Sequence, residues 1–187
     1  MAVEKLIRTE KNAFIIKATA GALIRYRQQF GREYLDDLKS LKDINLEDEN
    51  EQLRMLTIGF NLLWAMAKTA DDSIYPPQEF LAIVCDNDIL KLKTYIEQAE
   101  KLFNESMQGM KDYGDNTSDE PLNVETLIAI SSLSGLNTTD IDNLSVATLL
   151  NSINEYWKMK NGGADSDSKS DNARIATQAD IDAFFGR

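Results

Sequence analysis

The chain has 187 residues, enough for one or two small domains with real cores, and its 43% hydrophobic and 27% charged residues are ordinary for a folded protein. A formal net charge of −11 argues against wrapping a phosphate backbone, because nucleic-acid binders concentrate Lys and Arg to displace counterions. No apolar run approaches the roughly 18 to 20 residues that span a bilayer, and residues 1–10 lack the basic, apolar, small-residue order of a secretion signal.

The chain contains no histidine, the side chain most often used as a general base near neutral pH and the commonest metal ligand. Its single cysteine, Cys85, lies in the apolar run FLAIVC and reads as a buried, inert thiol. Paired-carboxylate motifs and Gly-rich phosphate loops are missing from the sequence. We therefore expect no enzymatic activity, no catalytic or metal-binding residues, no cofactor, no nucleic-acid partner, no membrane association and a cytoplasmic location.

Taken in chain order, the first 17 residues are ambiguous, because AFIIKA fits either a short strand or the lead-in to a helix. From Thr19 onward Leu23, Ile24, Phe30, Tyr34, Leu35, Leu38 and Leu41 recur at helical spacings, with Gly31 as a joint between two helices. The acidic stretch Asp43 to Glu51 reads as a solvated connection or as the first turn of the next helix. That helix carries Leu53, Leu56, Phe60, Leu63 and Ala67 on one face, widened by Leu62, Trp64 and Met66, which suits the central helix of a core. It ends at Asp71–Ser73, and Pro77 opens a short helix through Cys85. Asp86 or Asp88 then caps a long helix from Ile89 to about Met107, whose inward face is Leu92, Ile96, Ala99 and Phe103.

Between Gln108 and Glu120 the composition shifts to glycine and short polar residues, which marks a boundary. Beyond it come a helix from Asn123 to Ser134 on Leu127, Ile128, Ile130 and Leu133, and a second one capped by Ser145 and running through Tyr156 and Trp157. A Gly, Ser and Asp tract comes next. The chain closes on ATQADIDAFFGR, where Thr177 and Asp180 stand at capping-box spacing ahead of Ile181, Phe184 and Phe185. The expected fold is all-α: a helical domain over 1–107, a flexible linker over 108–120, a small helical extension over 121–161 and a flexible tail with a short terminal helix over 162–187. The greater part of the net negative charge falls beyond residue 107, as suits an exposed arm.

Two phrases stand out, KATAGALIRYRQQFG from Lys17 and LLWAMAKTADDSI from Leu62. Together they resemble the tail assembly chaperones of long-tailed phages that infect Gram-positive bacteria, over roughly Phe14 to Met107. Farther on, TTDIDNLSVATLLNSINEYWKMKNG and ATQADIDAFFG look like the downstream segment found beside these chaperones. In lambda-like tails that segment is joined to the first by a translational frameshift. The resemblance implies binding of the tape measure protein by the first part, engagement of the tail tube protein by the second, self-association around an extended client, residence in the host cytoplasm and absence from the mature virion. A structural or connector protein retained in the tail is the alternative.

Arg25, Tyr26, Arg27, Phe30 and Arg32 are candidates for partner binding or self-assembly, since Arg and Tyr are enriched at interface hot spots. Pairing within the domain, with Asp36, Asp37 and the acidic stretch after Asp43, is the competing reading for the charged ones. Tyr156 and Trp157 fit either cover by a small distal unit or contact with the tube protein. Ile181, Phe184 and Phe185 fit a short docking motif at the end of a tether, or a helix packed back on the domain.

Overall fold

The computed structural model describes residues 3–42, 44–45, 47–85, 88–109, 124–133 and 137–160. They are mainly helical, as expected, and the ambiguous opening resolves as the one sheet among them. Strands β1 (Val3–Arg8) and β2 (Ala13–Ala18) pair antiparallel with Leu6 opposite Ile15 and Ile7 opposite Phe14. The period of two decides this outcome: Ile7, Phe14, Ile16 and Ala18 turn inward and are buried, while Leu6 and Ile15, 48% and 46% exposed, face outward. The turn is tied by Thr9, whose N–H donates to the Asn12 carbonyl (2.9 Å) and whose Oγ1 accepts from the Asn12 N–H (2.9 Å).

Helix α1 (Ala20–Phe30) stops at Gly31, which takes the left-handed conformation (φ 68°) that glycine adopts without steric cost and returns its N–H to the Arg27 carbonyl. Helix α2 (Tyr34–Lys39) comes after this joint. The acidic stretch ends as a cap: Asp48 accepts from the Asn50 N–H (2.8 Å) and starts α3 (Glu49–Ala70). The expected face of α3 holds from Phe60 onward, where Leu62, Leu63, Met66 and Ala67 are fully buried, but Leu53 is 63% exposed. Full burial begins at Ile58, with Leu56 packed partly buried against the core before it.

Pro77 opens α4 (Pro77–Cys85), which buries Phe80 and Val84 one turn apart. Asp88 caps α5 (Ile89–Ser106) by accepting from the N–H groups of Leu90 (2.9 Å) and Lys91 (3.4 Å). Leu92, Ile96, Ala99 and Phe103 are buried as the spacing predicts, joined by Tyr95 and Leu102. Helices α3 and α5 meet at Gly59, where a Cβ would sit 2.4 Å from Cγ2 of Ile96; only a glycine allows that approach. Trp64 is buried, and its Nε1–H donates to the Tyr75 carbonyl (2.9 Å).

The distal residues form α6 (Val124–Leu133), α7 (Thr138–Ile141) and α8 (Val146–Lys160). The single turn α7 was not apparent in the sequence; Asn137 and Asp140 hold it by exchanging N–H to side-chain bonds (2.9 and 3.0 Å). Ser145 caps α8 by accepting from the Thr148 N–H (3.2 Å). The face expected for α6 needs correction. Val124, Leu127 and Ser131 point inward, at offsets of three and four residues, whereas Ile128 and Leu133 lie on the outward row, Leu133 being 70% exposed.

These distal helices do not form an exposed arm. Val124, Leu127, Ile141, Val146, Leu149, Leu150 and Ile153 belong to the same hydrophobic core as the hairpin and α1–α5. Of the linker expected over 108–120, residues 110–120 lie outside the described residues, as does the terminal helix expected after Thr177.

Candidate functional site

The Arg and Tyr cluster of α1 is engaged inside the molecule. Arg25 forms a two-pronged pair with Asp142, between α7 and α8 (2.6 and 3.1 Å), and touches Asp72 (3.3 Å). Burial disfavours the charged guanidinium, but the bonds and charges of Asp142 and Asp72 outweigh it and hold its proton more tightly than usual. Tyr26 is fully buried, and its hydroxyl donates to Asp37 (2.8 Å); burial first, then the Asp37 carboxylate, pushes the phenol well above its ordinary range. Arg32 pairs with the same buried Asp37. Arg27 reaches Glu33 (3.2 Å), the Gly31 carbonyl and Glu125 of α6 (3.4 Å). Glu33 in turn accepts from the Val124 N–H (3.3 Å), and burial raises its pKa more than these partners lower it. Phe30 is partly buried, edge-on to Tyr26 and Trp64.

Pairing within the fold is therefore what the geometry displays for Arg25, Tyr26, Arg27 and Arg32, and Asp37 is one of the foreseen partners. Asp36 instead pairs with Lys39 (3.2 Å). Tyr156 packs, partly buried, against the core. The side chain of Trp157, and Ile181, Phe184 and Phe185, lie outside the described residues.

Sequence reasoning missed the distal partners of α1. Asp142, Asn143 and Leu144 bind Arg25, Lys17 and the N–H of Ala20, and Gly21 makes room for them. The only hint was a glycine in the second position of a helix, a place with no local need for one.

Beside the Arg25 pair opens a cleft of about 350 Å³ between α1 and α3, floored by Ile24 and Trp64 and rimmed by Gln28, Gln29 and Lys68. The ammonium of Lys68 donates to the carbonyls of Asp72 and Ile74, the latter at 3.0 Å. A second hollow of about 490 Å³ lies along α5 among Glu97, Glu100, Lys101 and Glu105. Burial, then the charge of Glu97, raises the pKa of Glu100.

No family model, curated protein or solved structure matches this chain.

The described residues contain no group of three or more His, Cys, Asp or Glu side chains arranged to hold a metal ion, and no helix among them is long and apolar enough to cross a membrane. What they do present is apolar surface. Leu6 and Ile15 form one outward pair on the hairpin, and Ile128, Ala129, Ser132 and Leu133 form a row on α6, uncharged beyond Glu125 at its start.

Proposed function

We propose that the protein is a phage tail assembly chaperone, one that binds and solubilises the tape measure protein and recruits tail tube subunits as the tail is built. The proposal starts from the phrases around RYRQQFG and MAKTADDSI and their resemblance to that family. One structural observation supports it: an acidic, mainly helical body carries an exposed apolar pair on the hairpin and an exposed, largely apolar row on α6. Such rows suit contact with an elongated, apolar helical client that self-associates if left uncovered. The net charge of −11 keeps the chaperone itself dispersed.

The work is stoichiometric binding without chemistry. Many copies along one client gain by multivalency, so individually weak contacts suffice, and arriving tube subunits displace them. In this reading the copies also contact one another, the protein acts in the host cytoplasm, and it leaves before the virion matures. The terminal Ile181, Phe184 and Phe185 supply an apolar anchor for the tube protein.

Co-expression with the tape measure protein tests the proposal. Soluble client that co-purifies with this chain is the expected result, and client that stays insoluble in its presence removes the reading. Mass spectrometry of purified particles addresses the alternative, because a connector is retained in mature tails and a chaperone is absent from them.

A further inference from the structure

We infer that the outer edge of β1 takes an extended segment of a partner polypeptide as a third strand, one whose apolar centre is flanked by carboxylates. The inference goes beyond the proposed function, whose client is helical, and stands without it.

The phase of the hairpin decides which backbone groups point outward. Thr9 donates its N–H to the Asn12 carbonyl (2.9 Å), so these two form a hydrogen-bonded pair, and along an antiparallel ladder such pairs alternate with pairs that exchange no bonds. By the register, Ile7 with Phe14 and Lys5 with Ile16 make the bonds between the strands. Glu4, Leu6 and Arg8 therefore aim both N–H and C=O away from β2, and these groups meet no partner among the described residues. The opposite edge is less open. There β2 runs into α1 through Ala18, Thr19 and Ala20, all fully buried, and Lys17 is tied to Asn143 (2.8 Å).

An unpaired edge is a template for strand addition unless something blunts it. β1 contains neither proline nor glycine, its register runs without a bulge, and at its centre stands Leu6, 48% exposed beside Ile15. An added antiparallel strand exchanges two bonds with each of Glu4, Leu6 and Arg8, and it sets a side chain next to Leu6 that extends the row begun by Ile15. Charge selects the rest of the segment. Glu4 is committed to Lys17 (3.6 Å), whereas Lys5 and Arg8 have no carboxylate partner among the described residues. Lys5 lies on the inner side of the strand, where a charge turns away apolar strands and admits one that brings a carboxylate. In a chain of net charge −11, these uncommitted cations on one short strand favour an acidic partner. The matching segment places an acidic residue opposite Arg8, a β-branched apolar one opposite Leu6 and a second acidic one opposite Lys5.

A fluorescently labelled synthetic peptide with the core Glu-Thr-Ile-Glu-Thr has this order and serves as the probe. Its anisotropy should show saturable binding to the full chain. The same peptide N-methylated at Ile loses a donor and cannot close on the edge, so it should bind about tenfold more weakly or worse. Leu6→Pro removes an outward N–H without touching the bonds to β2, and it should abolish binding at an unchanged circular dichroism spectrum. If that variant fails to fold, the methylated peptide still decides on the unaltered protein. Bound peptide should also slow amide hydrogen exchange at Glu4, Leu6 and Arg8, and leave Lys5 and Ile7 as they were.

No saturable binding, equal binding of the methylated peptide, or protection at Ala13, Ile15 and Lys17 instead overturns the inference. So does slow exchange at Leu6 before any peptide is added, because a second copy or another part of the chain then already holds the edge. No client enters these experiments, so their failure leaves the chaperone reading where it stands, and failure of co-expression leaves this inference intact.

Discussion

The hairpin with α1–α5 and the distal α6–α8 are held by different kinds of contact. The first part interlocks aromatic rings edge to face: Phe14 on Phe80 (5.1 Å), Tyr34 on Phe103 (4.9 Å), and Phe30 between Tyr26 and Trp64. The second buries mostly aliphatic side chains and is positioned on α1 by carboxylates and backbone groups as well. Aromatic interlock depends on shape, whereas the polar bonds to α1 depend on the direction of each donor and acceptor. Helix α1 belongs to both systems, which is why its Arg and Tyr cluster looks so dense in the sequence.

Removing one large side chain from each part should break this contrast most visibly. Phe103→Ala, deep in the first part, should cost about 3–5 kcal/mol and lower the unfolding midpoint of the entire chain. Ile153→Ala, fully buried in α8, should cost about 2–5 kcal/mol, but with hydrogen-exchange protection lost first in α6–α8 while α3 and α5 stay protected. Equal loss everywhere after Ile153→Ala would mean that the two parts open as one unit. Asp88→Ala removes the cap of α5 and should cost about 1 kcal/mol in denaturant unfolding, with no effect on the distal junction.

The smallest effect concerns pH. Because the folded state raises the pKa of Glu100 above its ordinary 4.5, protonation of this group favours folding below that value, and the benefit is lost as pH rises through the folded pKa. Glu100→Gln should therefore raise the midpoint slightly at pH 7 and flatten its decline in the range just above pH 4.5. A variant whose thermal unfolding keeps the original pH profile would show that Glu100 is not the group responsible.

Much of the architecture was legible because its signals are local. Gly31 ends α1, Asp88, one of two expected candidates, starts α5, Pro77 starts α4 and Ser145 caps α8, each through a preference set within a few residues. The inward face of α5 followed from spacing alone. Legibility failed where the environment chooses between equivalent local options. AFIIKA became a strand because α3 and α5 offer a surface that rewards alternation. Leu53 and Leu133 are as apolar as their buried neighbours, yet no packed surface lies opposite them among the described residues. The candidate site was legible in its location on α1 but not in its partners: Asp37 lies close in sequence and was foreseen, while Asp142 lies 117 residues from Arg25 and was not.

The sequence by itself determined the longer helices, several of their caps and breaks, the acidic balance and the choice of α1 as the segment with unusual chemistry, because propensity, capping and periodicity act over a few residues of chain. Only the tertiary structure decided that the opening folds as a hairpin, that the distal helices share the core, and that Asp142 and Leu144 complete the start of α1. Those outcomes depend on which surfaces meet, and a carboxylate finds its arginine through space, by a distance that spacing along the chain does not record.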